Sequence, residues 1–492
     1  MSIRHYLKQL AGESAIYGVS GVIGRCVGIF LIPIYTRIFT PADYGVISLL
    51  GVFGSLAGMM AVLALDNSSA RWFYDTEQAE DRRVTISSWF WTQLSVGGVI
   101  AVVSCALAPQ ISRLLTDSEE YENLVRLVAI GIPLATGGKV LGNWLRYQRR
   151  ATSAVIFTIG QTLGNVGLII FLVVFLRYGL TGLYTAHLAT AMVILMISVT
   201  ILKEWISPSV FSWPRLRSML RYALPLIPAA AGLWVMASMD RVMLKRFTAI
   251  SEVGLYSIAA LVASGIDLLT AAFTQAWGPF AYSILKQPDA GRVYSRVLDL
   301  YSFLGCVACA ALSLFAPLIL RILTTEAFYP AASTVAFLAF ASLLYGGRFI
   351  ASLGCGIEKK SVPAAVSVAI GAAVNFALNL LLIPYVGRNG AALASMLGWG
   401  ISAAYLFRAS QRYHPIPYRW LTPLSSLGLA FGLIGLDRWL ITGHGVAANV
   451  GRGALLLSFI PLGATLGLLR WRDIRSVVNS VRRQQAFTTN TP

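Results

Sequence analysis

Charge is what this sequence has least of. Only 12% of its 492 residues are Asp, Glu, Lys or Arg, about half the share a soluble globular chain carries. With 57% of residues hydrophobic, an ordinary water-facing surface cannot be covered. Acids are scarcer still, 21 against 39 Lys and Arg. There are four His and five Cys. No His, Cys or Asp cluster has metal-ligand spacing. No GxxxxGK[ST] run is present to cradle ATP phosphates. No nucleophile stands with a base. The expectation is therefore no enzyme, no metal and no cofactor. Cys26, Cys105, Cys306, Cys309 and Cys355 all lie in or beside apolar segments, so Cys306 and Cys309 read as packing residues rather than a redox or zinc pair. Long polar loops are missing too. The longest connections outside, 108–121 and 240–251, run about a dozen residues, too short for an external catalytic domain.

What the chain has is apolar runs. Fourteen lie near 14–36, 44–65, 84–107, 122–142, 151–176, 179–202, 217–239, 252–275, 296–320, 330–354, 362–386, 388–409, 418–440 and 447–469. A helix needs ~20 apolar residues to cross ~30 Å of hydrocarbon. Lipid offers the backbone no hydrogen-bond partners, so a spanning run is a helix unless it belongs to a closed barrel. Barrel strands alternate polar and apolar, and these runs do not. The expected fold is an all-α polytopic membrane protein of about fourteen helices. Threading these runs with both termini cytoplasmic puts 25 of the 39 Lys and Arg on the inside and 11 on the outside or at span ends. That is the positive-inside bias, and it explains the basicity without nucleic acid. Arg4 and Lys8 precede a run too long for a signal peptide and without a small-x-small cleavage site, so it reads as a retained first span.

The sequence also repeats. Arg37-Ile-Phe-Thr-Pro-Ala-Asp43-Tyr-Gly45-Val-Ile-Ser48 aligns without gaps on Arg246-Phe-Thr-Ala-Ile-Ser-Glu252-Val-Gly254-Leu-Tyr-Ser257, at an offset of 209. Gln148-Arg149-Arg150-Ala151 matches Glu358-Lys359-Lys360-Ser361 at 210, and Gly179 to Ala186 matches Gly387 to Ala394 at 208. Three matches at nearly one offset, each at an equivalent connection, imply two six-helix lobes and two extra helices. An even number of spans per lobe makes the repeat parallel. The expected division is 1–210, 211–410 and 411–492, the last with a basic cytoplasmic tail. Gly45, Gly254, Gly182 and Gly390 read as glycines for tight turns.

A charge at the bilayer centre costs at least ~2.5 kcal/mol, which makes any intramembrane ionisable group a functional candidate. Arg25 falls at the midpoint of the first run. As a cavity cation it would suit phosphate oxygens. Arg348 and Lys139 lie nearer the cytoplasmic ends of their spans, where cavity binding competes with snorkelling to the interface. Asp267 is the one acid read as well inside a span, either a proton-coupling group or the partner of a cation such as Arg348. Asp66, Asp240 and Arg241 stand at span ends, where ordinary interfacial solvation is expected. His187, Gln161, Asn165, Asn375 and Asn379 are polar residues of the kind that link helices by hydrogen bonds. Three interior cations against one acid imply an anionic cargo.

Several stretches resemble one family along nearly the whole chain to about residue 420. They are Pro33-Ile-Tyr-Thr-Arg-Ile-Phe-Thr-Pro-Ala-Asp-Tyr-Gly45, Arg71-Trp-Phe-Tyr-Asp75, Leu224-Pro-Leu-Ile-Pro228, Asp240-Arg-Val-Met-Leu244 leading to Val253-Gly-Leu-Tyr-Ser257, Ala276-Trp-Gly-Pro-Phe280 and Leu378-Asn-Leu-Leu-Leu-Ile-Pro384 before Gly390. In order and spacing they resemble the polysaccharide transporters, the O-antigen flippases of the multidrug/oligosaccharidyl-lipid/polysaccharide exporter superfamily. The resemblance implies two six-helix lobes about a V-shaped cavity, with spans thirteen and fourteen packed outside. It implies a cargo of undecaprenyl-diphosphate-linked glycan moved from the inner to the outer leaflet of the bacterial cytoplasmic membrane, with Arg25 in a place matching cavity cations that hold the diphosphate. Its implied partners are the bilayer, that glycan, and the polymerase and chain-length proteins of polysaccharide assembly. An ion-coupled drug or metabolite exporter of the same fold and a non-transporting scaffold are the alternatives.

Overall fold

The computed structural model describes Gly24, residues 27–441, Gly443 and residues 445–466. Among these the regular elements are helices, with no strand. Among the described residues eleven helices are long and apolar enough to cross a membrane, or twelve when one bent pair counts as a single span. In chain order the helices are α1 (Val27–Ile38), α2 (Pro41–Tyr74), α3 (Ala79–Ala106), α4 (Glu122–Tyr147), α5 (Ala151–Phe175), α6 (Gly179–Leu202), α7 (Trp213–Phe247), α8 (Ile250–Ala263 and Gly265–Ser283), α9 (Ala290–Leu323), α10 (Glu326–Ile357), α11 (Val362–Val386), α12 (Arg388–Tyr413), α13 (Leu421–Leu440) and α14 (Val446–Thr465). Each run read from the sequence falls on one of them. Residues 14–23, 25 and 26 of the first run lie outside the described residues. Helix α13 is diluted by Ser425, Ser426, Asp437 and Arg438.

Local chemistry sets the helix ends. Thr40 caps α2 in a reciprocal box with Asp43: the Asp43 amide donates to Thr40 Oγ1 (3.2 Å) and the Thr40 amide to Asp43 Oδ2 (2.9 Å). Pro41 starts the helix where no backbone donor is needed. Leu63 and Ala64 take left-handed φ, breaking α2 before Leu65. Helix α8 bends by 44° between its two segments.

The repeat is written in the backbone. Arg149 and Lys359, equivalent at offset 210, both turn left-handed (φ 55° and 53°), and so do Gly179 and Gly387 (56° and 59°). The four glycines expected to make turns do something else, and that reading is corrected. Gly45, Gly254, Gly182 and Gly390 all lie inside helices. A Cβ on Gly182 would press on the Leu172 carbonyl, and one on Gly390 on the Leu382 carbonyl. They are needed for close backbone approach, not for turning.

Packing groups the chain into two compact units, residues Met1–Ser257 with Phe376–Ala391, and Ile258–Asn375 with Ala392–Pro492. In the first unit a core of Phe73, Trp89, Phe90, Trp144 and Met219 gathers parts of α2, α3, α4 and α7. In the second, Trp277, Tyr294, Leu353 and Phe407 join parts of α8, α9, α10 and α12. Large apolar side chains such as Phe171, Phe175, Met196 and Trp439 are exposed, as hydrocarbon rather than water would require. The four described cysteines are free thiols, three of them buried. The expected packing role fits.

Candidate functional site

A cavity of about 680 Å³ lies within the first unit. Its walls come from α1, α2, α4, α5 and α6. Gly28 on α1 and Gly51, Gly54 and Gly58 on α2 line one side. A Cβ on Gly51 or Gly58 would meet nothing within 4 Å, so these bare faces widen the space. The opposite side is polar. Helix α4 contributes Thr136 and Lys139, α5 contributes Gln161, Thr162 and Asn165, and α6 contributes Tyr184 and His187. Gln161 and Asn165 are one turn apart, hence on one face of α5. Tyr184 Oη donates to the Ile47 carbonyl (3.3 Å), tying α6 to α2.

Lys139 is the only Lys or Arg among the described lining residues, and no Asp or Glu is among them. Its side chain is exposed and makes no ion pair among the described residues. Asn165 Oδ1 is buried without a donor among the described residues. The wall therefore offers one cation, one amide oxygen seeking a donor, and several neutral amides and hydroxyls. That mixture suits a hydroxyl-rich, anionic ligand better than an organic cation. Asp66, on α2 and not among the lining residues, accepts from Gln93 Nε2 (3.1 Å), and Tyr147 Oη donates to its carbonyl (3.1 Å). The interfacial solvation expected for Asp66 does not hold: it stands within α2, past the break, in a hydrogen-bonded site.

The other sequence candidates are not gathered there. Arg348, on α10 in the second unit, is only 8% exposed. Its Nη2 donates to Ser367 Oγ (2.9 Å) and its guanidinium lies 5.2 Å from the Trp399 ring centre. No carboxylate is within ion-pair distance among the described residues, so Arg348 is not joined to Asp267. Asp267 is half-buried in the first turn after the α8 bend. Arg25 lies outside the described residues.

The pattern of the family described as "Polysaccharide biosynthesis protein" matches residues 34–333, more than half of the chain. The chain belongs to that family. Within this family membership, its similarity to a succinoglycan biosynthesis transport protein, ExoT of Rhizobium meliloti (strain 1021), is 25% identity over 47% of the chain and 45% of that relative. The match thus spans less than half of that relative's length. An uncharacterized membrane protein of Haemophilus influenzae is 22% identical over 60% of the chain and 70% of its own length. Among solved structures, the lipid II flippase MurJ in an inward closed conformation superposes with a TM-score of 0.70 at 13% identity, over 92% of this chain and 99% of that one. An inward-facing multidrug resistance MATE family transporter of the MOP superfamily gives 0.66 at 15% identity, over 80% and 94%. At such identities the likeness establishes the fold. This polysaccharide biosynthesis protein thus has the fold of the MOP superfamily transporters.

Sequence reasoning missed one buried acid of the family member's first unit. Asp240, expected to be solvated, is 2% exposed. Tyr256 Oη donates to its Oδ2 (2.6 Å) and Asn379 Nδ2 to its Oδ1 (2.7 Å). Asn379 was read as a helix-linking residue, and here it links α11 to α7. The missed signal was the pairing of that asparagine with an acid at the end of an apolar run. Asp240→Ala is expected to lower stability in detergent by about 1–3 kcal/mol, since two buried donors lose their acceptor. Asp240→Asn, which keeps one acceptor, should lose less. Thermal unfolding of the purified variants reads the difference.

Proposed function

We propose that the protein is a flippase that moves an undecaprenyl-diphosphate-linked oligosaccharide, the repeat unit of a surface polysaccharide, from the inner to the outer leaflet of a bacterial cytoplasmic membrane by alternating access. The observation that carries this reading is the chemistry of the cavity in the first unit: a lysine, amides and hydroxyls, with no acid among its described lining residues. Family membership supports the polysaccharide, and the fold supports transport. In this reading Lys139 holds an anionic group of the cargo, while Gln161, Asn165 and Tyr184 exchange hydrogen bonds with sugar hydroxyls. The polyprenyl tail stays in lipid. Arg25 and Arg348 are proposed as further cations along the path, and Asp267 as a coupling group. An inside-negative potential favours export of an anion by ~2.3 kcal/mol per charge per 100 mV. Both termini face the cytoplasm, and the partners are the lipid-linked glycan, the bilayer and the polymerase and chain-length proteins.

Deletion of the gene in its host tests this. Surface polysaccharide should be lost while complete repeat units accumulate on the lipid carrier at the inner leaflet. Normal surface polysaccharide without accumulation, in a host lacking a paralogue, overturns the proposal in favour of drug or metabolite export.

A further inference from the structure

Helix α7 is longer than a membrane needs. It runs 35 residues, Trp213–Phe247, or ~52 Å at ~1.5 Å per residue, against ~30 Å of hydrocarbon. Its first eleven residues, Trp213–Ala223, are the excess. They carry Arg215, Arg217 and Arg221 and no acid, so they belong in the headgroup layer rather than in hydrocarbon. The stretch is pinned on one side. Leu216, Met219 and Ala223 are buried in the first unit's core with Phe73, Trp89 and Trp144. The connection before it is held to α3. Trp91 Nε1 donates to the Ile206 carbonyl (2.7 Å), Ser87 Oγ to the Ser207 carbonyl (2.8 Å) and the Ser212 amide to Ser88 Oγ (3.0 Å).

The opposite face is open. Trp213, Arg217 and Arg221 recur every four residues, hence along one face. All three are exposed, Trp213 by 62%. Beside them Arg71, near the end of α2, lies over the Tyr222 ring at 5.2 Å. Phe211 and Leu224 are exposed at the two ends of the stretch. The neighbouring arginines are already engaged. Arg215 pairs with Asp81 and Arg83 with Glu80, and Arg82 donates to the Phe73 and Thr76 carbonyls. Arg71, Arg217 and Arg221 have no carboxylate within ion-pair distance among the described residues. Water gains nothing from an exposed indole beside free arginines. A headgroup layer does, because aromatic rings settle at that level and guanidinium forks match phosphate oxygens.

We propose that this face docks anionic phospholipid headgroups of the phosphatidylglycerol kind. Arg71, Arg217 and Arg221 hold the phosphate, and Trp213 and Phe211 seat in the interface around it. Each arginine beside an anionic leaflet is expected to raise the preference for anionic over zwitterionic lipid roughly fivefold. The Lys and Arg distribution puts the 203–212 connection on the cytoplasmic side, so the lipids are those of the inner leaflet, whatever the cargo.

The test uses the full chain in phosphatidylcholine vesicles holding a tracer phospholipid with a diazirine high in one acyl chain, made as phosphatidylglycerol or as phosphatidylcholine. After irradiation, digestion and mass spectrometry locate the adducts. Phosphatidylglycerol adducts should gather on the peptides that carry Arg71 and residues 211–224, roughly tenfold or more above phosphatidylcholine adducts. Arg217→Gln/Arg221→Gln, compared at matched thermal midpoints, should lose most of that excess. Arg217→Lys/Arg221→Lys keeps the charge and should retain most of it. Equal labelling by the two lipids in the parent would overturn the proposal. So would an excess that survives Arg217→Gln/Arg221→Gln. Displacement of the label by undecaprenyl diphosphate but not by unlabelled phosphatidylglycerol would make the face a cargo dock and overturn the phospholipid assignment. Labelling reads lipid alone, so a gene deletion that leaves surface polysaccharide intact would overturn the cargo and not this surface.

Discussion

Arg452→Leu is expected to destabilise the purified protein by about 3–5 kcal/mol, the range for removing one partner of a buried ion pair. Arg452 sits in α14 with its side chain 4% exposed, and Asp437 in α13 is 12% exposed at the side chain. Nε donates to Asp437 Oδ1 (2.9 Å), Nη1 to Asn449 Oδ1 (3.4 Å) and Nη2 to the Gly443 carbonyl (3.3 Å). One guanidinium thus holds α13, α14 and the connection between them. Leucine would strand the Asp437 carboxylate in a site that excludes water. The double variant Arg452→Leu/Asp437→Leu removes both charges and should recover much of the loss. A double-mutant cycle by thermal unfolding in detergent measures the coupling. If the double variant is no more stable than Arg452→Leu alone, the cost comes from packing and not from the stranded charge.

That pair also marks where sequence reading stops. The helices were legible because hydrocarbon imposes a crude rule, an apolar run of sufficient length. The repeat was legible because its offset recurs at three places, and left-handed Arg149, Lys359, Gly179 and Gly387 fall where it predicts. Burial of charge was not legible. Asp240 and Asp66 read as groups solvated at span ends, and no motif marks the pairing of Arg452 with Asp437. Each of the four is hydrogen-bonded within or beside a helix, and its partner lies on another helix or far along the chain. A hydrophobicity pattern records where a residue falls in a span, not which neighbour faces it. Asp267 was therefore not the sole acid to weigh.

The cavity was half legible for the same reason. Lys139, Gln161, Asn165 and His187 were each picked out, but as separate residues on three helices. Only packing puts them on one wall. The glycines opposite them were not picked out as a face, because glycine spacing says nothing about what it leaves empty until the neighbouring helices are in place.

Lys139→Ala is the variant that bears most directly on that wall. A charge-assisted hydrogen bond contributes about 1.5–3 kcal/mol, and each ~1.4 kcal/mol is tenfold. Loss of the cavity lysine should therefore slow flipping by roughly 10- to 100-fold. Because the side chain is exposed to the cavity and makes no ion pair among the described residues, little fold stability should be lost. Lys139→Arg keeps the charge and should retain most activity. Lys139→Glu should fall below alanine, since it repels the same anion. The measurement is the flipping rate of lipid-linked oligosaccharide in reconstituted vesicles, at matched protein levels and thermal midpoints. An order of Arg above Ala above Glu identifies charge as what Lys139 supplies to the cargo. Equal rates for all three would leave the cavity's hydroxyl and amide groups to bind a neutral part of the cargo. The anion would then have to be held elsewhere, with Arg25 and Arg348 the next residues to replace.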